Sequence, residues 1–88
     1  MPVHYNKKFL KDLADIPSKQ RAIIEKLVFQ EFHSQENIHK SGKLEKLKGY
    51  AIYYKIRVGN YRIGIKIDGD LLSFERVLHR KEVYKFFP

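Results

Sequence analysis

Two alternating runs, Tyr53-Tyr54-Lys55-Ile56-Arg57-Val58 and Tyr61-Arg62-Ile63-Gly64-Ile65-Lys66-Ile67, flank the dipeptide Gly59-Asn60, and that spacing gives the middle of the chain one reading. Gly takes positive φ without steric cost and Asn tolerates the left-handed region, so the pair predicts a two-residue hairpin turn. Register follows from the turn: Val58 faces Tyr61, Arg57 faces Arg62, Ile56 faces Ile63, Lys55 faces Gly64, Tyr54 faces Ile65 and Tyr53 faces Lys66. Because side chains alternate between faces, Tyr54, Ile56, Val58, Tyr61, Ile63, Ile65 and Ile67 share the core side. The other side carries Tyr53, Lys55, Arg57, Arg62 and Lys66, with a gap at Gly64 opposite Lys55. Like charges directly across a ladder are destabilising, so stability alone would not pair Arg57 with Arg62. A polyanion on that face reverses the sign.

The rest of the chain supplies what this hairpin packs against. Asn6 caps a predicted helix from Lys7 to about Asp15 after a short extended stretch, Val3 to Tyr5, and Ile16-Pro17 ends it. Ser18 is read as the cap of a second helix, Lys19 to about Gln35, whose Ile23, Ile24, Leu27, Val28 and Phe32 recur at three and four. Gln35 to Gly42 reads as a polar loop, followed by a short basic element, Lys43 to Gly49. A third strand runs from about Leu71 to His79; with Asp68-Gly69 as its turn, Leu72 meets Ile65, Phe74 meets Ile63 and Glu75 joins the basic face opposite Arg62. The expected fold is α+β: a short N-terminal strand and a helical hairpin on one face of an antiparallel sheet of three to four strands.

At 88 residues without Cys, the chain is read as one domain, residues 1–88, that folds by packing alone. The four His residues show no metal-ligand spacing, so neither metal nor cofactor is expected. No apolar run has the length of a membrane span and the first residues lack a secretion signal, which predicts a cytoplasmic protein with no membrane partner. Residues 1–39 hold six basic and five acidic side chains, residues 40–88 twelve and five, so nearly all of the formal +8 lies in the half with the hairpin. Such a one-sided field is the footprint of nucleic-acid binding.

Leu47-Lys48-Gly49, then Tyr54-Lys55-Ile56-Arg57-Val58-Gly59-Asn60-Tyr61-Arg62, then His79-Arg80-Lys81-Glu82-Val83-Tyr84 resemble the RelE toxins of the RelE/ParE superfamily. The resemblance implies a toxin that enters the ribosomal A site and cuts mRNA there, held inactive by a cognate antitoxin, with operator DNA reached through that antitoxin. ParE relatives share the fold and attack DNA gyrase, usually without the full basic set. Carried onto this chain, the resemblance makes Lys55, Arg57, Arg62, Arg80 and Tyr84 catalytic positions and His79 a proton-transfer position. Arg57 departs from the family's best-known enzyme, which has Lys there, and an arginine does not give up its proton. Leu78 stands where many relatives have Gly.

The chemistry implied is attack by a ribose 2′-OH on the adjacent phosphorus. Arg62 and Arg80 suit the phosphate, since a guanidinium donates two parallel hydrogen bonds to its oxygens. Repulsion from Arg57, Arg62 and Lys66 favours a neutral Lys55 able to act as general base. His79 exchanges protons near neutrality unaided, and Tyr84 orients the attacking hydroxyl or stacks on a base. Tyr53 is either a stacking platform or a packing residue. Lys43, Lys46, Lys48, Lys66 and Lys81 complete the expected contacts with RNA and ribosome.

Overall fold

The computed structural model describes residues 3–88 and contains a five-stranded mixed sheet with helices on both faces. In chain order the elements are β1 (Val3–Tyr5), α1 (Lys7–Ala14), α2 (Ser18–Lys26), α3 (Gln35–Lys40), β2 (Leu44–Lys46), β3 (Tyr53–Val58), β4 (Tyr61–Asp68), β5 (Leu71–His79) and α4 (Val83–Phe86). Strands lie in the order β1-β5-β4-β3-β2; β1 runs parallel to β5 and every other pair is antiparallel. The α+β class, the N-terminal strand and the helical hairpin are as expected. The sheet is wider, because Leu44–Lys46 pairs as an edge strand against β3 and β1 adds the parallel edge.

The β3–β4 register agrees with the sequence reading at all six pairs, from Tyr53 against Lys66 to Val58 against Tyr61. The next ladder does not. Its turn is Gly69-Asp70, so Ile65 meets Phe74 and Ile67 meets Leu72, and a bulge at Gly64/Ile65 then inserts Glu75 without a partner. Past the bulge Gly64 meets Arg76, Ile63 meets Val77, Arg62 meets Leu78 and Tyr61 meets His79. One extra residue exchanges the faces of everything that follows it. Glu75 therefore leaves Arg62 and accepts a hydrogen bond from the buried Ser73 hydroxyl.

The helical hairpin also differs in detail. Asn6 caps α1 as predicted, accepting the Lys8 N–H at 2.9 Å. Ser18 is the first helical residue of α2 and Pro17 the cap, whose fixed φ suits that place without a side-chain hydrogen bond. Arg21 donates instead to the Ala14 carbonyl at 3.2 Å, satisfying the open end of α1. The second helix is shorter than its pattern suggests: it passes into a π turn over Leu27–Glu31, closed by the Phe32 N–H on the Leu27 carbonyl at 2.7 Å. Gln35–Lys40, expected as loop, is helical. Ser34 caps it by accepting the Asn37 N–H at 3.1 Å, Glu36 pairs with Lys40 at 2.8 Å, and Ile38 alone of its side chains is fully buried. A six-residue helix with one apolar anchor has no periodicity to read.

Phe9, Leu13, Ile24, Leu27, Val28 and Phe32 of the helical layer bury against Ile56, Ile63, Ile65, Leu72, Phe74 and Val77 of the sheet. Ile23, counted in the predicted stripe, stays exposed, as does Leu10 of α1. Tyr5 stacks on Phe74 with centroids 5.4 Å apart, and burial pushes its phenol above its ordinary value of 10.0. The unfolded phenol therefore ionises first, so its contribution is complete below about pH 10 and declines above it. Melting curves of Tyr5→Phe and the wild type at pH 8 and pH 11 should show the variant losing less stability on the alkaline side.

Candidate active site

The second face of the sheet carries the charge. Lys55, Arg57, Arg62 and Lys66 share it as the hairpin register requires. The bulge brings Arg76, Leu78 and, by continuation of the ladder, Arg80 to the same side; the Arg80 N–H donates to the Asn60 carbonyl at 2.8 Å, the next step beyond Tyr61 and His79. Arg57, directly across from Arg62, is exposed. Arg62 is turned toward the hairpin turn, one terminal nitrogen donating to the carbonyls of Gly59 and Tyr61 at 2.9 Å each. Its remaining donors carry no protein partner among the described residues. Neither does any of these cations except Arg76 form an ion pair there: the two pairs are Glu36 with Lys40, and Asp12 with Arg76.

A short C-terminal cover lies across part of this face. After β5 the chain turns and forms α4, whose Val83, with Phe87 beyond it, buries against Leu47, Tyr53 and Leu78 as a small second core. Tyr84 projects from α4, largely exposed, and its hydroxyl accepts a hydrogen bond from the Lys55 ammonium. That leaves the phenol's own O–H free to donate. Between this pair and the edge strand opens a cleft of about 330 Å³, lined by Glu45, Lys46, Lys48, Lys55, Tyr84 and Phe87 among others. Glu45 is the cross-strand partner of Lys55, a carboxylate that the sequence does not place there because the three residues of β2 are too few to show a strand alternation.

Several sequence-predicted residues take other places. His79 pairs with Tyr61, its ring edge-on to the tyrosine at 5.7 Å, so it lies on the helix side of the sheet, away from Lys55. It borders a separate hollow of about 370 Å³ with Gln20, Ile23, Val58, Asn60 and Tyr61, and its Nδ1 accepts the Lys81 N–H at 3.2 Å. Tyr53 is a packing residue, edge-on to Tyr50 at 5.9 Å and to Phe87 at 5.6 Å. The Gly64 gap is not open clearance: Phe87 fills it. Lys43, Lys46, Lys48 and Lys81 are exposed around the face and Lys66 is half-buried in it. Glu75, expected opposite Arg62, forms no ion pair among the described residues, and neither does Glu82.

No described group of His, Cys, Asp or Glu has the makings of a metal site, and no described helix is long and apolar enough to cross a membrane. The face offers guanidinium donors, an ammonium and a phenol: groups that bind an anion and manage protons at its edge.

Comparison with known proteins gives concordant matches. A family model described as the ParE toxin of the type II toxin-antitoxin system parDE matches residues 3–84. Toxin RelE3 of Methanocaldococcus jannaschii is 46% identical over 89 residues, covering 100% of both chains. Among solved structures, the toxin of a RelB-RelE antitoxin-toxin complex from Methanococcus jannaschii superimposes with a TM-score of 0.72 at 41% identity, over 97% of this chain and 99% of that one. The RelBE2 toxin-antitoxin complex from Mycobacterium tuberculosis gives 0.71 over 90% and 96% at 22% identity, a likeness of fold.

Proposed function

Because the chain belongs to the RelE/ParE family of toxins from type II toxin-antitoxin systems, we propose that its basic sheet face cleaves messenger RNA held in the A site of the ribosome. It is the toxin of such a system and a homologue of RelE toxins. The observation that carries the enzymatic reading is the row of Lys55, Arg57, Arg62 and Arg80 on one face without acidic partners within ion-pair distance, beside a phenol that already accepts a hydrogen bond from one of them. A protein folding for stability alone gains nothing from Arg57 opposite Arg62.

In this reading Arg62, Arg57 and Arg80 hold the scissile phosphate and offset the charge that builds on it as the 2′ oxygen attacks. Lys55, acting as the neutral amine, takes the 2′-OH proton, and Tyr84, whose hydroxyl accepts a hydrogen bond from Lys55, orients the attacking group. The O2′–P bond forms and the P–O5′ bond breaks, giving a cyclic phosphate and a 5′ oxygen that takes its proton from water, while Lys55 returns the proton it took to solvent. Arg57 contributes charge and no removable proton. Positioning supplies most of the rate, with the ribosome bending the message for in-line attack, so free RNA is cut poorly. Lys43, Lys46, Lys48, Lys66 and Lys81 contact RNA phosphates around the site. The cognate antitoxin is the expected protein partner, as in the RelB-RelE complex that the chain resembles.

The test is cell-free translation with primer-extension mapping of the message: cuts within A-site codons are expected, and their absence from purified active-concentration toxin overturns the reading. The name of the matching family model favours a second reading, a ParE-like inhibitor of DNA gyrase. Loss of supercoiling with intact translation would establish it. His79→Ala should leave cleavage within about threefold of wild type, since its ring lies across the sheet from Lys55 and meets no reacting atom in this scheme.

A further inference from the structure

Tyr84 is 63% exposed and stands on a single helical turn whose N-cap makes no side-chain hydrogen bond, so little of its own holds it over Lys55. What holds that turn is buried on either side of it. Val83 is 1% exposed and Phe87 4%, and the Phe87 N–H donates to the Val83 carbonyl at 2.8 Å. The Phe87 ring lies on Gly64: three of its carbons fall 2.7 to 2.8 Å from where a Cβ at position 64 would stand. Gly64 does not have the left-handed φ of Gly59 or Gly69, so its backbone would accept alanine and the missing side chain serves the ring. Gly64 is also the cross-strand partner of Lys55. The anchor of the Tyr84 turn is thus seated one ladder step from the group that Tyr84 must meet.

We infer that Phe87 is a positioning residue: lodged in the notch at Gly64, it sets the Tyr84 hydroxyl against Lys55, and both sides of that contact tune the reaction through Tyr84. This rests on the reading of Lys55 and Tyr84 as the proton-handling end of the site. The main core lies on the opposite face of the sheet and does not include Phe87, so the contact is open to change without loss of the fold.

Gly64→Ala pushes the ring out and Phe87→Ala removes it; each should lower cleavage in the translation assay about ten- to a hundredfold, the scale of a reacting group displaced by an ångström. Because both break one contact, Gly64→Ala/Phe87→Ala should be no worse than the poorer single variant, and Phe87→Ala added to Tyr84→Phe should cost less than about threefold more. Phe87→Leu, which keeps an apolar anchor, should recover most of the activity. Independently of any cleavage, the Tyr84 ring resonances of Gly64→Ala and Phe87→Ala should move toward those of a free tyrosine while the methyl signals of Ile24 and Ile63 stay in place. Multiplying effects in the double variant, or a Tyr84 signal that does not move, would overturn the inference. If the wild type cuts no message, the cleavage reading falls and the resonance measurement still decides whether Phe87 places Tyr84.

Discussion

Arg62→Ala is expected to lower the rate of message cleavage roughly a hundred- to a thousandfold, the range seen when one preorganised donor to a developing oxyanion is removed. The size follows from how the side chain is held. One nitrogen is committed to the Gly59 and Tyr61 carbonyls at 2.9 Å, which restrains the guanidinium and leaves its other donors without a protein partner among the described residues. Arg62→Lys keeps the charge and loses the fork, so it should fall between the two. The neighbouring Arg57 provides the contrast. It is exposed, forms no hydrogen bond among the described residues and faces Arg62 directly, so Arg57→Ala should raise stability by up to about 1 kcal/mol while weakening cleavage. Urea unfolding and A-site cleavage measured on the same preparations separate the two effects. An Arg57→Ala protein less stable than wild type would mean that the cross-strand pair is not repulsive.

What the sequence made legible, and what it hid, divides along physical lines. Where a two-residue turn joins two alternating runs, register has no freedom left, and the hairpin could be read pair by pair. At the next turn three adjacent residues, Asp68-Gly69-Asp70, permit more than one loop, and the one mark of the bulge, Gly64 inside a strand pattern, reads equally as a gap in the basic face. That single inserted residue decided the site. The resemblance puts His79 and Arg80 in one site; the bulge sets Leu78 opposite Arg62 and His79 opposite Tyr61, so His79 falls on the helix side and Arg80, the next residue, on the basic face. The Gly64 gap was visible, but its occupant lies 23 positions along the chain and could be found only by folding it. Family resemblance names the candidate residues by kind. The structure determines which of them share a surface.

Asp12 shows the same limit from the side of stability, and its loss should damage the fold strongly. From α1 it accepts two hydrogen bonds from Arg76 on β5, at 2.7 and 3.0 Å, and a third from the Val77 N–H at 3.2 Å. The two side chains are only 12% and 19% exposed. The carboxylate holds the Arg76 guanidinium above its ordinary pKa, chiefly through the hydrogen bonds. The guanidinium also lies 5.7 Å from the Phe86 ring of α4, so one partly buried cation joins the first helix, the sheet and the C-terminal cover. Asp12→Ala leaves that cation and a strand N–H without a partner, a loss of about 3 kcal/mol. For a chain of this size that lowers the melting temperature by more than about 10 °C. Removing both charges should cost less than removing one: Asp12→Leu/Arg76→Met, which fills the space with apolar side chains, should recover most of the stability because no buried charge remains to be solvated. Thermal and urea unfolding of the three proteins check this. A double variant as unstable as Asp12→Ala would show that the geometry of the pair, rather than the isolated charge, is what the fold requires.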